Sequence, residues 1–215
     1  MTTFLAQLDA DKAARLEPMV AAGRMAIDQE VPADAQRLLQ VALANEINVS
    51  ELAALWMPTT REVDVKLAFA RQAGDEAGHF QLVAERLAAL GFDPASFAPP
   101  AANALFQYLR GLESTVERIA GGLYALEAIA YAVNENFMAY CARRGDDETV
   151  RIYREYIQPD ERAHHELGKR LLVKYATTPE LEAAARGAAL RVLDLAAQTR
   201  ETAAKMVGAA CFPGC

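Results

Sequence analysis

Cysteine, histidine and tryptophan are scarce in this chain, at 3, 3 and 1 of 215 residues. Cys141, Cys211 and Cys215 cannot all pair with one another, so no disulfide framework is expected. Cys211 and Cys215 stand in Cys-Phe-Pro-Gly-Cys, which has neither the spacing nor the partners of a zinc motif and reads as a plain tail. No Lys/Arg-rich run occurs and the net charge is −7, which argues against a nucleic-acid surface. No apolar run reaches the ~20 residues of a membrane span, so no membrane partner is expected. The opening MTTFLAQLDADKAARLEP lacks the basic start and apolar centre of a signal peptide, and the expected location is the cytoplasm. Only 9 prolines and 12 glycines are present, and most fall where a helix would have to stop.

What the chain has is alanine, leucine and helical spacing. Hydrophobic residues make up 53% of it, enough for a sizeable core, and the alanine bias favours helices. The spacing predicts a single all-α domain over 1–215. A first helix covers about 10–28, a four-helix core about 32–175, and a last helix about 179–207. Pro32 is expected to open the first core helix, which stops near Met57-Pro58-Thr59-Thr60. Thr59 or Thr60 would cap the second, which ends at Gly91. The stretch 92–102 is long enough to cross the bundle. A third helix spans roughly 103–143, with Gly111 and Gly121-Gly122 bending it or admitting a neighbour. The fourth starts near Asp146-Asp147 and runs to about Tyr175. The layout is two helical hairpins joined by one long crossover, with flanking helices.

Two of the three histidines lie in matched segments, Asp75-Glu76-Ala77-Gly78-His79 and Asp160-Glu161-Arg162-Ala163-His164. Both read D-E-x-x-H, and an i, i+3 spacing puts carboxylate and imidazole on one helix face within reach of one ion. Each motif lies on the second helix of a hairpin and needs a carboxylate level with it on the first. The midpoint of Glu46 and the Glu76/His79 pair is about 62, beside the first turn. That of Glu127 and the Glu161/His164 pair is about 145, on Gly145. Glu51 and Glu135 fit these turns less well. Glu46 and Glu127 also stand in apolar runs, where an unpaired carboxylate would be expensive to bury.

The candidate metal ligands, and hence candidate catalytic residues, are therefore Glu46, Glu76, His79, Glu127, Glu161 and His164. Four carboxylates balance two divalent ions, and the mixed O/N set suits iron or manganese, or a mixed pair, better than structural zinc. Glu76 and Glu161 are expected to bridge, with Glu46 and Glu127 terminal. Asp75 and Asp160 are candidates to hold the distal histidine nitrogens. Tyr124 and Tyr131, three before and four after Glu127, could bond to the site or simply pack in the core. Gln72 could line a substrate cavity or an interface. His165 faces away from His164, and Trp56 reads as core packing.

The pattern E…DExxH…E…DExxH resembles the ferritin-like di-iron carboxylate superfamily over roughly 32–175, which implies a ferritin-like four-helix bundle. Ala73-Gly74-Asp75-Glu76-Ala77-Gly78-His79 is similar to the phenylacetyl-CoA epoxidase (phenylacetate-degradation oxygenase) family. The resemblance implies two irons that activate O2 for hydroxylation or epoxidation of a small organic substrate, an aromatic acyl-CoA in that family. No flavin, rubredoxin or iron–sulfur motif is present, so a separate electron-donating reductase is expected, and a homodimer or heteromer. A ferroxidase or iron-binding role, or a non-catalytic scaffold subunit of an oxygenase complex, would fit the same ligand pattern.

Overall fold

The structure, a computed structural model, describes residues 3–30 and 34–207, with side chains as far as residue 202. Among these residues all regular structure is helical. Helix α1 spans Thr3–Asp28, α2 Ala35–Thr59, α3 Val63–Ala89 and α4 Ala104–Arg110. Helix α5 covers 115–142 without a break: Thr115–Arg118, a π-helical stretch Ile119–Leu126, then Glu127–Ala142. Helix α6 covers 147–175 in the same manner, with π turns at Tyr153–Ile157 between Asp147–Ile152 and Gln158–Tyr175. Helix α7 is Pro179–Val207.

The two expected hairpins, α2–α3 and α5–α6, form a four-helix core in which α3 also meets α6. The crossover holds one short 3-10 turn, Pro94–Ser96, and the short helix α4, which packs on α2 and α7. Helices α1 and α7 cover α5 from outside. Gly91 ends α3 with φ of +89°, as the sequence suggests.

Four boundaries differ from the sequence reading. Helix α1 begins at Thr3 rather than near 10, because Leu5 and Leu8 continue its apolar stripe and are buried. Asp34 caps α2, accepting from the amides of Gln36 and Arg37, while Pro32 lies outside the described residues. The Cys211/Cys215 tail also lies outside them. The hydroxyls of Thr59 and Thr60 both donate back to the Trp56 carbonyl, so they close α2 instead of opening α3. The third core helix is also cut at 111–114. Ser114 and Glu117 form a capping box that restarts the chain as α5.

Two apolar clusters fill the core. One gathers Trp56, Phe69, Leu123, Leu126, Leu171 and their neighbours. The other gathers Leu39, Leu43, Val83, Leu87, Phe137 and Tyr153. Along α2, α3 and α6 the candidate ligands fall between the two, so a polar layer divides the core.

Close approach of the helices relies on glycine at several places, two of them within the four-helix core. A Cβ on Gly122 would stand 2.6 Å from the Trp56 ring, and one on Gly168 would stand 2.8 Å from the Leu123 and Tyr124 backbone. Backbone cannot swing aside as a side chain can. Gly168→Ala is therefore expected to lose about 1–3 kcal/mol by overpacking. Gly74→Ala, whose Cβ meets nothing within 4 Å, should gain roughly 0.5–1 kcal/mol of helix propensity. Urea unfolding of the two variants checks this; a Gly168→Ala protein as stable as the parent would contradict the packing.

Candidate metal centre

The six residues singled out from the sequence meet at one point in the bundle. Glu46 comes from α2, Glu76 and His79 from α3, Glu127 from α5, and Glu161 and His164 from α6. Each is 1–3% exposed. They form two overlapping groups of four donors: Glu46, Glu76, His79 and Glu161, and Glu76, Glu127, Glu161 and His164. Within each group the donor atoms lie no more than 4.8 Å apart, a spacing that could hold a metal ion. Glu76 and Glu161 belong to both. Glu76 Oε2 lies 3.2 Å from His79 Nδ1, and its Oε1 lies 3.4 Å from His164 Nδ1, so one carboxylate spans both histidines. His79 Nδ1 is also 3.5 Å from Glu46, and His164 Nδ1 is 3.6 Å from Glu127.

The supporting contacts cross between the motifs. His164 Nε2 lies 3.0 Å from Asp75 of α3, and His79 Nε2 lies 3.3 Å from Asp160 of α6. Each aspartate thus holds the histidine of the opposite helix, where the sequence left the pairing open. With Nε2–H donated outward, Nδ1 faces the centre, where loss of its proton frees a lone pair for a cation. Gln72 Nε2 donates to Glu127 Oε1, so this buried amide positions a candidate ligand.

Several buried polar atoms point at the centre without a hydrogen-bond partner: Glu76 Oε1, Glu161 Oε2 and His164 Nδ1. The 3.4 Å approach of Glu76 Oε1 to His164 Nδ1 is within ion-pair range but off hydrogen-bond geometry. Orphaned buried polar atoms of this kind are rare, and a bound cation, displacing the proton of His164 Nδ1, would satisfy all three.

Electrostatics point the same way. Burial drives Glu46 up to about 8, and burial with the neighbouring Glu127 and Glu76 drives Glu161 well above the carboxylate range. Burial acts upward on Glu76 too, but the facing imidazoles of His164 and His79 outweigh it and hold that carboxyl low. Burial would lower both histidines, yet the facing carboxylates raise His79 and His164 to about 11. Protons therefore balance the cluster when no cation does, and divalent ions would displace them.

The two tyrosines proposed from spacing do not reach the site. Tyr124 donates to Asp9 of α1 at 2.8 Å, with its ring against His165 and Lys12. It lies in the π stretch, whose wider turns swing it off the Glu127 face that α-helical spacing assigns it. Tyr131 is 37% exposed and lines a surface cavity between α5 and α6. His165 bonds the Tyr124 carbonyl and meets Lys12, and burial lowers it to about 4. The weaker rivals also stay outside: Glu51 pairs with Arg110 on the surface, and Glu135 accepts from Gln158.

Spacing missed Tyr153. Its ring is 1% exposed and its hydroxyl has no hydrogen-bond partner. Burial, then the charges of Glu46, Cys141 and Glu161, push the phenol well above its ordinary range. On an ideal helix Tyr153 stands roughly 80° from Glu161. The π turns between them, invisible to α-helical periodicity, remove most of that offset.

A pH dependence follows from these shifts. Histidines raised above their ordinary 6.5 stabilise the fold below that pH and lose the effect as pH climbs toward 11. Glu46, raised above its ordinary 4.5, opposes folding increasingly from there up to about 8. Both signs agree. Melting of the metal-free protein is expected to fall between about pH 6 and pH 9, while the gain in Tm from added divalent metal grows. A metal-free Tm that is flat or rises over that range would contradict the protonation described.

The chain is similar to a TenA homolog from Pseudomonas syringae pv. tomato str. DC3000, with a TM-score of 0.61 and 16% sequence identity over 90% of this chain and 89% of that one. At that identity the likeness shows a shared all-helical fold and nothing of the chemistry. No curated protein matches the chain significantly. The family described as "Protein of unknown function (DUF455)" matches residues 33–190, which include all six clustered residues. The chain belongs to the DUF455 family.

Proposed function

We propose that this protein is a di-iron carboxylate oxidoreductase of the ferritin-like kind. Glu76 and Glu161 would bridge two iron ions, with Glu46 and His79 completing one and Glu127 and His164 the other. The observation that carries the reading is the pair of four-donor groups sharing two carboxylates in a buried layer. When bound, such a metal pair supplies electrons and Lewis acidity to activate O2 for oxidation of a small organic substrate. Manganese, alone or mixed with iron, satisfies the same donors.

The chain's own residues have defined parts in this reading. Asp75 and Asp160 fix the ring orientation and tautomer of His164 and His79. Gln72 holds Glu127. The apolar clusters on either side keep bulk solvent from the layer and strengthen every electrostatic contact inside it. A separate reductase supplies electrons to the buried centre. Aromatic acyl-CoA thioesters are the first substrate class to test, on the resemblance of the α3 motif to the phenylacetyl-CoA epoxidase family.

Metal content of protein produced with iron tests the assignment, in the parent and in Glu127→Ala and His164→Ala. About two irons per chain are expected in the parent, with most of the metal lost from either variant. O2 uptake with a chemical reductant should then depend on the organic substrate. Absence of bound metal under every loading condition would leave a helical scaffold. O2 uptake driven by ferrous iron alone would instead make the protein a ferroxidase.

A further inference from the structure

A cleft of 490 Å³ lies between α3 and α6, lined by Gly74, Asp75, Gly78, His79, Glu85, Glu155 and Asp160 among others. His79 ties it to the buried cluster, because the same residue lines the cleft and turns Nδ1 toward Glu76 and Glu46. The other surface cavity beside α6, lined by Tyr131, Arg154, Gln158 and Arg162, includes no clustered residue. Neither does the apolar groove between α2 and the crossover.

We propose that this cleft is the entrance through which divalent cations reach the cluster; the inference rests on the metal-binding reading above. Three features carry it beyond the presence of acidic side chains. First, Asp75 and Asp160 stand between solvent and the site: their side chains are 26% and 35% exposed, yet each has an oxygen on the outer nitrogen of a buried histidine. A cation arriving in the cleft meets these two carboxylates immediately before the histidines. Second, the mouth is kept open by glycine. A Cβ on Gly74 or on Gly78 would meet nothing within 4 Å, so packing does not demand glycine at either position, and a larger side chain there would project into the cleft. Third, outward of His79 the charge lining the cleft is of one sign. Asp75, Glu85, Glu155 and Asp160 line it with no lysine or arginine; Arg71 and Arg151 pair with Asp75 and Glu155 from its margin. A cleft with walls of one charge concentrates counter-ions and speeds their arrival.

The orphaned acceptors inside supply the destination. Glu76 Oε1 and Glu161 Oε2 have no hydrogen-bond partner and belong to the same donor groups as the two histidines. The cleft, the half-exposed aspartates, the histidines and the bridging carboxylates therefore form a sequence of ligands of increasing burial, along which a hydrated cation can exchange water for protein donors one at a time.

Stopped-flow absorbance of Co²⁺ uptake by the metal-free full-length protein tests the route. Gly78→Leu, which fills the mouth, should slow uptake on the order of ten-fold or more. It should leave the final stoichiometry and Tm at least equal to those of the parent. Glu85→Gln combined with Glu155→Gln should slow uptake at low ionic strength and flatten its salt dependence. Ala139→Leu, in the neighbouring cavity, should leave the rate unchanged. Uptake by Gly78→Leu at the parent's rate, or slowing by Ala139→Leu alone, would overturn the entrance while leaving the metal site standing. A parent protein that takes up no Co²⁺ would overturn both.

Discussion

Four carboxylates buried side by side in a helical core set the terms for the rest of this structure. Unpaired, each would be driven to protonate, and Glu46 and Glu161 are driven that way. The two histidines answer part of the charge, and two divalent cations would answer all of it. Such a layer gains little stability compared with apolar packing. On the proposed reading its place at the centre of the bundle serves to bind metal, and the surrounding architecture holds it there.

That architecture works at three distances. Nearest, Asp75, Asp160 and Gln72 fix the rings and one carboxylate. Next, the π-helical turns end directly before Glu127 and four residues before Glu161, setting the register of both. Departures from α-helical geometry of this kind recur at functional sites. Farther out, the Gly122–Trp56 and Gly168–α5 contacts bring the helices close, and Arg86 ties α3 to the Asp146 cap of α6. The Arg86 contact and the hairpin turns fix the level at which the two D-E-x-x-H motifs face each other. The cleft over His79 then gives this enclosed layer a connection to solvent.

Much of this was legible in the sequence because the informative features are local. An E-x-x-H repeat reports a helix face, and equal distances from a turn report height in a hairpin; together they identified all six clustered residues. Helix α5 shows where such reasoning stops. Its break at 111–114 carries a readable signal, Ser114-Thr-Val-Glu117, that the helical spacing on either side concealed. The π stretches carry none, since they are set by packing between α5 and α6 and the other helices. For that reason Tyr124 leaves the Glu127 face, and Tyr153, which spacing did not single out, is brought within electrostatic reach of the cluster. The crossed pairing of aspartates and histidines likewise depends on how α3 meets α6, which no single-helix pattern contains.

The central claim is that two cations share Glu76 and Glu161. Anomalous diffraction at the iron edge, from crystals of the iron-loaded protein, tests it most directly. The account predicts two peaks flanking those carboxylates, one on the Glu46/His79 side and one on the Glu127/His164 side. A single peak, or iron bound anywhere outside this layer, would contradict it.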